Sequence, residues 1–258
     1  MYAEAVTGRL PIQNLSWARQ ISVVIPALNE ANNLKYVLPR IPHWVDEVIL
    51  VDGRSTDKTV EVARQLYPGI RVVEQTGKGK GAALREGFAA ATGDLIVMLD
   101  ADGSTDPREI PLFVGALMAG AHFAKGTRFA QGGGSADISL LRRLGNRTFT
   151  SMYRVLFRNR CTDLCYGYNA FWSYVLPVLG LDADGFEVET LMNVRALRAG
   201  LKVVEVPSFE AERIYGASHL RPFRDGWRVL KTIVHERLQR GAPTAVAPVA
   251  IEQGLEPA

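Results

Sequence analysis

Cysteine is scarce in this 258-residue sequence, which contains only Cys161 and Cys165. Their C-x3-C spacing, without a second cysteine pair, argues against a disulfide-stapled secreted scaffold and against a four-cysteine zinc site. Two free thiols in a reducing compartment are the simplest interpretation.

Long hydrophobic runs are lacking as well. No apolar run approaches the about 20 residues that a helix needs to cross a bilayer. Residues 1–20 have neither the basic nor the apolar region of a signal peptide. We therefore expect a cytoplasmic protein. The Ala- and Pro-rich stretch 241–258 is typical of a disordered tail.

An excess of charge of either sign is also missing, since 30 Lys and Arg residues face 27 Asp and Glu residues, for a net charge of +3. So small a net charge gives no reason to expect a nucleic-acid partner. Apolar material is plentiful, because 47% of the residues are hydrophobic. We expect one large domain at 20–240, preceded by an N-terminal extension at 1–19.

Four short β-rich runs recur in the N-terminal part of the chain, with helical spacing of apolar residues between them. The runs are ISVVIP (21–26), EVILVD (47–52), IRVVE (70–74) and LIVMLD (95–100). Apolar runs without alternation are typical of strands buried on both faces. The pattern predicts an α/β fold with a mostly parallel central sheet and helices on both faces.

Polar residues follow these runs, at the end where a parallel sheet binds its ligands. They are Asn29 and Glu30, Asp52, the stretch 75–81, and Asp100 and Asp102. Because the carboxyl ends of parallel strands meet at one edge of the sheet, we expect these residues to converge on one ligand site.

The stretch LIVMLDADGSTDP (95–107) ends a core strand with Asp100 and Asp102, one residue apart. A strand that breaks there can aim both carboxylates into one loop. Mg²⁺ or Mn²⁺ on a diphosphate needs only one or two protein carboxylates, since phosphate and water complete its coordination. The alternative is an ordinary turn, in which Asp106 caps a helix that starts at Pro107.

The stretch GKGKGAA (77–83) is a glycine-rich loop at a helix N-terminus. It lacks the spacing and the Ser or Thr of a P-loop, but Lys78 and Lys80 would suit a phosphate group there. A flexible loop with solvated lysines is the alternative. At the end of the second run, Asp52 can accept a hydrogen bond from a base N–H, whereas Asp57 is better explained as a helix N-cap.

The order of the motifs is more specific than any one of them. VVIPALNE, VDGRSTDKT, GKGKGAALREG, GDLIVMLDADGSTDP and KGTRF follow one another along the chain. This series resembles the inverting family 2 glycosyltransferases, which have the GT-A fold, and is most similar to the polyprenyl-phosphate (dolichol-phosphate mannosyltransferase-like) members. The chain departs from their pattern at Gly53, where many relatives carry a second Asp. It also departs at TDLCYGYNAF (162–171), where Asp163, Gly167 and Asn169 match.

The resemblance, which covers residues 20–240, implies a donor site and a metal site. The segment Pro26, Ala27, Asn29 and Glu30 would cradle the nucleoside together with Asp52, and the sugar nucleotide would also contact Lys80, Asp100 and Ala101. Asp102, with Asp100, would bind the metal. Arg128 in GTRF would contact phosphate groups during the transfer.

The acceptor site is expected nearer the C terminus. The loop AERIYGASHLRPFR (211–224) offers Arg213, Ser218 and Arg221 as ligands of an anionic acceptor. A hydroxyl acceptor would also need a general base. Asp163 and the pair Glu187 and Glu189 in GFEVET are candidates for this base or for positioning the acceptor. Helix N-terminal acidity is the alternative explanation of Glu187 and nearby Glu189. A phosphate acceptor is already anionic and needs no base.

Together these features predict the metal-dependent, inverting transfer of a hexose from UDP or GDP to a polyprenyl phosphate. Transfer to a soluble hydroxyl acceptor is one alternative. A nucleotidyltransferase, which also uses paired carboxylates and a Gly/Lys loop, and a nucleotide-sugar-binding module without turnover are the others.

Two basic amphipathic segments, 139–160 and 222–240, lie in the C-terminal half. Their apolar stripes consist of Leu141, Leu144, Met152 and Leu156 in the first and Phe223, Trp227, Leu230 and Val234 in the second. Such helices suit an anionic bilayer, which predicts peripheral contact with the inner face of the cell membrane. Alternatively, the stripes pack on the core or on a partner subunit of a homo-oligomer.

Overall fold

Strands and helices alternate along the chain as predicted. The structure, a computed structural model, describes residues 19–218 and 220–239. Its strands are β1 (Ile21–Ala27), β2 (Glu47–Asp52), β3 (Arg71–Glu74), β4 (Leu95–Met98), β5 (Phe123–Thr127), β6 (Gly134–Ser135), β7 (Asn169–Trp172), β8 (Val203–Pro207) and β9 (Phe209–Glu210). Its α-helices are α1 (Leu34–Val37), α2 (Thr59–Leu66), α3 (Lys80–Ala90), α4 (Ile110–Met118), α5 (Leu140–Phe157), α6 (Leu176–Leu179), α7 (Val188–Arg198) and α8 (Pro222–Leu238).

Seven of these strands form one sheet in the order β3-β2-β1-β4-β7-β5-β8, and β6 pairs with β9 in a separate two-stranded ribbon. The neighbours β3, β2, β1 and β4 run parallel, as do β5 and β8. Only β7 runs antiparallel to its neighbours in this sheet, β4 and β5. The prediction of a mostly parallel sheet is confirmed.

Alternate residues of the central strands enter two different cores. In β1, Val23 and Ile25 belong to one core and Val24 to the other. Helices α1, α2 and α4 contribute to the first core, and α3 and α7 contribute to the second. The sheet is therefore covered on both faces, which explains why its strands are continuous apolar runs.

A third apolar cluster joins α5, α7 and α8 without any residue from a strand. Its buried members are Tyr153, Leu164, Val194, Val229 and Ile233. The two predicted amphipathic segments thus form helices that pack together on a cluster of their own.

Only part of the stripe predicted on α5 is free. Met152 and Leu156 pack against the third cluster, so for them the alternative of core packing is correct. Leu141 and Leu144 are 51% and 63% exposed. The N-terminal half of α5 therefore presents apolar and basic residues to the surface.

On α8 the predicted stripe faces outward. Phe223 and Trp227 are 83% and 57% exposed, whereas Val229 and Ile233 on another face are buried. None of the helices formed by residues 19–218 and 220–239 is both long and apolar enough to cross a membrane.

Some predictions fall outside the described residues. They concern the extension at 1–19 except its last residue, Arg240 at the end of the second amphipathic segment, and the tail at 241–258. The division of the chain into these segments stays a prediction.

Candidate active site

A cleft of about 750 Å³ opens at the carboxyl edge of the sheet. Pro26 and Ala27 at the end of β1 line it, together with the loop after β4, which carries Asp100, Ala101 and Asp102. The glycine-rich loop before α3 closes another side. The structure thus brings together polar loops that lie far apart in the sequence.

The two carboxylates after β4 each have a cationic partner. Lys80 Nζ lies 2.5 Å from Asp100 Oδ1, and Arg213 Nη2 lies 3.0 Å from Asp102 Oδ2. The backbone amide of Ser104 donates to Asp102 Oδ1 at 3.0 Å and holds that side chain in place. The two cations offset the repulsion that neighbouring carboxylates exert on one another.

Lys80, the first residue of α3, bridges Asp100 and Glu189. Its Nζ lies 2.7 Å from Glu189 Oε1. Burial alone would lower the pKa of Lys80, but the two carboxylates raise that pKa above its ordinary value, so the ammonium group stays charged. Gly167 makes room for the pair, because a Cβ there would lie 2.6 Å from Glu189 Oε1 and 2.9 Å from Lys80 Nζ.

Asn29, predicted to hold the nucleoside, instead shapes the loop after β1. Its φ of 58° lies in the left-handed region, which asparagine tolerates better than most residues. Its Oδ1 accepts a hydrogen bond from the backbone amide of Thr56 at 2.8 Å. Asn29 therefore ties the loop after β1 to the loop after β2 and does not line the cleft.

Asp52, at the end of β2, has one carboxylate oxygen without a partner. Its Oδ2 accepts from the backbone amide of Ser55 at 3.1 Å, whereas its Oδ1 is buried and has no hydrogen-bond partner among the described residues. Its neighbour Gly53 lines the cleft. A buried acceptor without a donor is unfavourable. Asp52 itself does not line the cleft, so the cleft wall would have to move for a ligand N–H to satisfy this oxygen.

Residues 211–216, here called the strap, are fastened to the loop after β1. Arg213 Nη1 donates to Glu30 Oε1 at 2.8 Å. The side chain of Asn33 donates to the carbonyl of Tyr215 at 3.0 Å and accepts from its amide at 2.9 Å. These contacts place the Arg213 guanidinium beside the D-x-D loop.

Arg128, which follows β5, is predicted from its motif to contact a phosphate group. In the structure its guanidinium already forms ion pairs with two carboxylates. Its Nε and Nη2 donate to Asp163 at 2.7 and 3.0 Å, and its Nη1 donates to both oxygens of Glu210 at 3.1 and 3.0 Å. All three guanidinium nitrogens are engaged. Part of Arg128 reaches the cleft wall, but this geometry favours a structural role that ties β5 to β9.

Asp163 does not fit the role of a catalytic base. It is fully buried, and its Oδ1 also accepts from Asn146 Nδ2 at 2.9 Å. Burial opposes ionisation of Asp163, but Arg128 outweighs this effect and lowers the pKa of the carboxyl. A buried, fully paired carboxylate of lowered pKa is a weak base with no access to a substrate.

Glu187 does not fit a catalytic role either. It occupies the N-cap position of α7, where its Oε1 accepts from the amide of Gly185 at 3.1 Å. It lines a second groove, beside α8, and not the cleft. Glu189, the other candidate of the pair in GFEVET, lines the cleft instead.

The predicted acceptor residues are only partly brought together. Ser218 lines the cleft with Arg213, whereas Arg221, just before α8, is exposed and is not one of the residues that line the cleft. Arg142 of α5 does line the cleft and pairs with Asp137 at 2.9 Å. The amphipathic pattern marked Arg142 as a surface residue and missed this position.

The D-x-D pair fits Mg²⁺ or Mn²⁺ in its chemistry, because carboxylate oxygens are the ligands that both ions prefer. No group of three or more His, Cys, Asp or Glu side chains that could hold a metal occurs among the described residues. Two carboxylates suffice where phosphate and water complete the coordination. The Arg213 guanidinium beside Asp102 shows that a positive charge is already accommodated at this point.

A mostly parallel α/β sheet whose carboxyl edge carries a D-x-D loop over a deep cleft defines a GT-A-type glycosyltransferase. The sequence profile described as Glycosyl transferase family 2 matches residues 22–179. The chain belongs to this family and is a glycosyltransferase.

Curated relatives are identical to the chain at about a third of the aligned positions. Glycosyltransferase AglJ of Haloferax volcanii is 32% identical, over 80% of this chain and 68% of its own length. Dolichol-phosphate mannosyltransferase of Pyrococcus furiosus is 32% identical, over 78% of this chain but only 59% of its own length. Polyprenol monophosphomannose synthase of Mycolicibacterium smegmatis is 33% identical, over 77% and 80%.

Solved structures agree on the fold. Glucosyl-3-phosphoglycerate synthase of Mycobacterium tuberculosis, in complex with Mn²⁺, UDP-glucose and phosphoglyceric acid, matches with a TM-score of 0.70 and 28% identity, over 86% of this chain and 81% of that one. The same enzyme with Mg²⁺ and UDP matches with a TM-score of 0.68 and 27% identity, over 86% and 80%. Both of these structures contain a divalent metal together with a uridine nucleotide.

Proposed function

We propose that this enzyme transfers a hexose, with inversion, from a UDP- or GDP-sugar to a polyprenyl phosphate, with Mg²⁺ or Mn²⁺ as cofactor. The observation that carries the proposal is the D-x-D pair, which shares one cleft with Lys80 and Arg213. Names of relatives that refer to dolichol phosphate and to polyprenol support the acceptor.

The donor's nucleoside would lie against Pro26 and Ala27, which line the cleft near the ends of β1 and β2. The unpaired Oδ1 of Asp52 would accept a hydrogen bond from a base N–H. Uracil and guanine both offer such a donor, so this contact supports a nucleotide without selecting the base.

The diphosphate would lie at the D-x-D loop. Asp100 and Asp102 would hold the metal, which supplies positive charge to the leaving diphosphate. Lys80 and Arg213 would add their own charge at the same place. Direct displacement at the anomeric carbon builds negative charge on the diphosphate, so these four side chains would favour the transition state over the bound donor.

The carboxylates of the cleft favour a phosphate acceptor over a hydroxyl. Among the described residues that line it, Asp100, Asp102, Glu30, Asp137, Glu189 and Glu210 are all ion-paired. Glu212, which is exposed, has no ion pair there. A phosphate acceptor needs cations and no base, and Arg142 lies at the cleft wall to supply one.

A lipid-linked acceptor would reach the cleft from the membrane. Arg142 lies near the start of α5, and Ser218 and Leu220 immediately precede α8, so both helices begin at the cleft wall. The exposed apolar residues of these helices, such as Leu144 and Phe223, lie near the same helix starts. Insertion of these residues into an anionic bilayer, at the inner face of the cell membrane, would hold the cleft next to the headgroup of the acceptor.

A soluble phosphorylated acceptor is the second candidate, because structural neighbours include glucosyl-3-phosphoglycerate synthase in complex with phosphoglyceric acid. Transfer to a hydroxyl group of such an acceptor needs a general base. Glu212 would be that base, since it is the cleft carboxylate without an ion pair among the described residues.

The test offers the protein radiolabelled UDP-glucose or GDP-mannose with Mn²⁺ and either a polyprenyl phosphate in anionic liposomes or 3-phosphoglycerate. We expect label in the lipid phase and release of nucleoside diphosphate. Label in 3-phosphoglycerate alone would establish the second candidate. Release of pyrophosphate would identify a nucleotidyltransferase, and metal-dependent nucleotide binding without turnover on either acceptor would identify a binding module.

A further inference from the structure

The acidic and basic side chains of the cleft are bound to one another. Lys80 contacts Asp100, and Arg213 contacts Asp102, at 2.5 and 3.0 Å. The side chains of Lys80 and Arg213 are only 10% and 16% exposed. Under the proposed function, the carboxylates would bind a divalent cation and the basic groups a diphosphate. Lys80 and Arg213 therefore occupy the carboxylates that would bind the cation, and Asp100 and Asp102 occupy the basic groups that would bind the diphosphate.

We propose that the cation and the nucleoside diphosphate enter this site together, by an exchange of partners. The cation takes Asp102 and Asp100, and the diphosphate takes the basic groups that they release. This inference rests on the proposed function. Arg213 is the switch, because its Nη2 lies 3.0 Å from Asp102 Oδ2, an oxygen that a cation would need as a ligand.

Neither ligand can complete the exchange alone. A cation by itself would separate Arg213 from Asp102 and leave the guanidinium with Glu30 alone, and a diphosphate by itself would leave Asp102 without a cationic partner. A largely buried charge that loses its partner is strongly disfavoured. When both ligands bind, every charge again has a partner. The two ligands must therefore bind with positive coupling, which is reciprocal by linkage.

Each basic residue keeps a second carboxylate that is not part of the exchange. Arg213 uses Nη1 for Glu30 and Nη2 for Asp102, so Nη2 can turn away while Nη1 stays in place. Lys80 likewise retains Glu189 at 2.7 Å. These anchors keep the positive groups in the cleft, where a diphosphate can meet them.

The experiment measures Mn²⁺ binding by the electron paramagnetic resonance signal of free Mn²⁺, and UDP and GDP binding by calorimetry, each with and without the other ligand. In the wild-type protein we expect weak binding of each ligand alone and tight binding of both. The coupling should fall in the range of about 5- to 150-fold that is typical of linked sites.

Arg213→Gln removes the competing charge and keeps a polar side chain. We expect this variant to bind Mn²⁺ alone at least about fivefold more tightly than the wild type, and to lose most of the coupling. Arg213→Lys keeps the charge and should retain weak binding of Mn²⁺ alone. Arg108→Gln is the matched control, because Arg108 pairs with an aspartate, Asp106, but is exposed and does not line the cleft.

Thermal unfolding first establishes that each variant is folded. If folded Arg213→Gln binds Mn²⁺ alone no better than the wild type, Arg213 does not compete with the cation and the inference is refuted. If neither UDP nor GDP binds any of the proteins in the presence of Mn²⁺, the proposed function fails instead. The comparison of Mn²⁺ binding without nucleotide still decides the role of Arg213 in that case.

Discussion

Replacing Arg128 by methionine should destabilise the fold, because this guanidinium is buried between two carboxylates. Arg128 is 5% exposed, Asp163 is fully buried and Glu210 is 6% exposed. The substitution keeps an unbranched apolar chain of similar reach and removes all the charge. Asp163 and Glu210 then lose the cation that offsets their burial.

Breaking a buried ion pair by removal of one partner costs about 3–5 kcal/mol. We do not double this range for the two carboxylates, since Asp163 keeps the amide of Asn146 and Glu210 keeps the hydroxyl of Ser135. For a domain of this size each kcal/mol lowers the Tm by about 2–4 °C. We therefore expect Arg128→Met to lower the Tm by about 6–20 °C.

The effect should depend on pH with a definite sign. In the wild type, Arg128 lowers the pKa of Asp163, so the stabilisation from this carboxylate is present above its ordinary pKa and is lost as the pH falls through the folded-state pKa. In the variant, burial acts without Arg128 and raises the pKa of Asp163. Protonation then relieves the cost at acidic pH, and the gap between the two Tm values should narrow from about pH 7 to about pH 5.

The assay is thermal unfolding of the wild type, Arg128→Met and the triple variant Arg128→Met/Asp163→Asn/Glu210→Gln at several pH values. The triple variant, which has no unpaired charge at this point, should recover part of the lost Tm and show no narrowing. An unchanged Tm in Arg128→Met, with turnover lost, would refute the structural role and restore Arg128 as a phosphate ligand.

Three further predictions concern the cleft and its rim. Asp102→Asn should remove most of the dependence of UDP or GDP binding on Mn²⁺ in calorimetry while the Tm changes little, because Arg213 keeps its ion pair with Glu30 when Asp102 loses its charge. Metal dependence equal to that of the wild type would exclude Asp102 as a ligand. Glu212→Gln should leave the rate of transfer to a polyprenyl phosphate within about twofold of the wild-type rate, since an anionic acceptor needs no base. A rate lower by about 100-fold or more would indicate a hydroxyl acceptor and a catalytic Glu212. Phe223→Ser/Trp227→Ser should weaken flotation with anionic liposomes at low salt while leaving the Tm unchanged, because both side chains face away from the core. Thr148→Ser, on the exposed surface of α5, is the control. Equal flotation of the double variant and this control would exclude α8 as the membrane contact.

The sequence predicts the donor half of the fold well because that half is built from local patterns. Each of the four N-terminal strands contains a short apolar run. The polar residues after these runs meet at one edge of the sheet because the carboxyl ends of parallel strands lie at the same edge. Asp106, which caps the short helix that starts at Pro107, is equally local. Asp57, predicted to be the N-cap of the next helix, accepts a hydrogen bond from the amide of Thr59 but lies one residue before the N-cap position of α2.

The acceptor half is harder because its contacts join distant segments. β7 is a four-residue strand inserted antiparallel between β4 and β5, and nothing in its composition separates it from a loop. Glu210 reaches Arg128 only because β9 pairs with β6, and both strands are two residues long.

Glu187 and Glu189, at the start of α7, also show that the sequence does not reveal which side chains face the cleft. Two residues differ by about 200° around an α-helix, so only one of two such neighbours faces a given wall. Which one does so depends on the face that α7 turns to the second core, and the sequence around them, GFEVET, does not reveal that face.

The third apolar cluster has an evolutionary consequence. Because α5 and α8 rest on each other and on α7, and their shared cluster contains no strand residue, their outer faces can change without disturbing the sheet that presents the D-x-D loop. The family profile ends at residue 179, before α7 and α8 begin. If these outer faces bring the acceptor to the cleft, as we propose, substitutions on them can change the acceptor during evolution while the D-x-D loop is conserved.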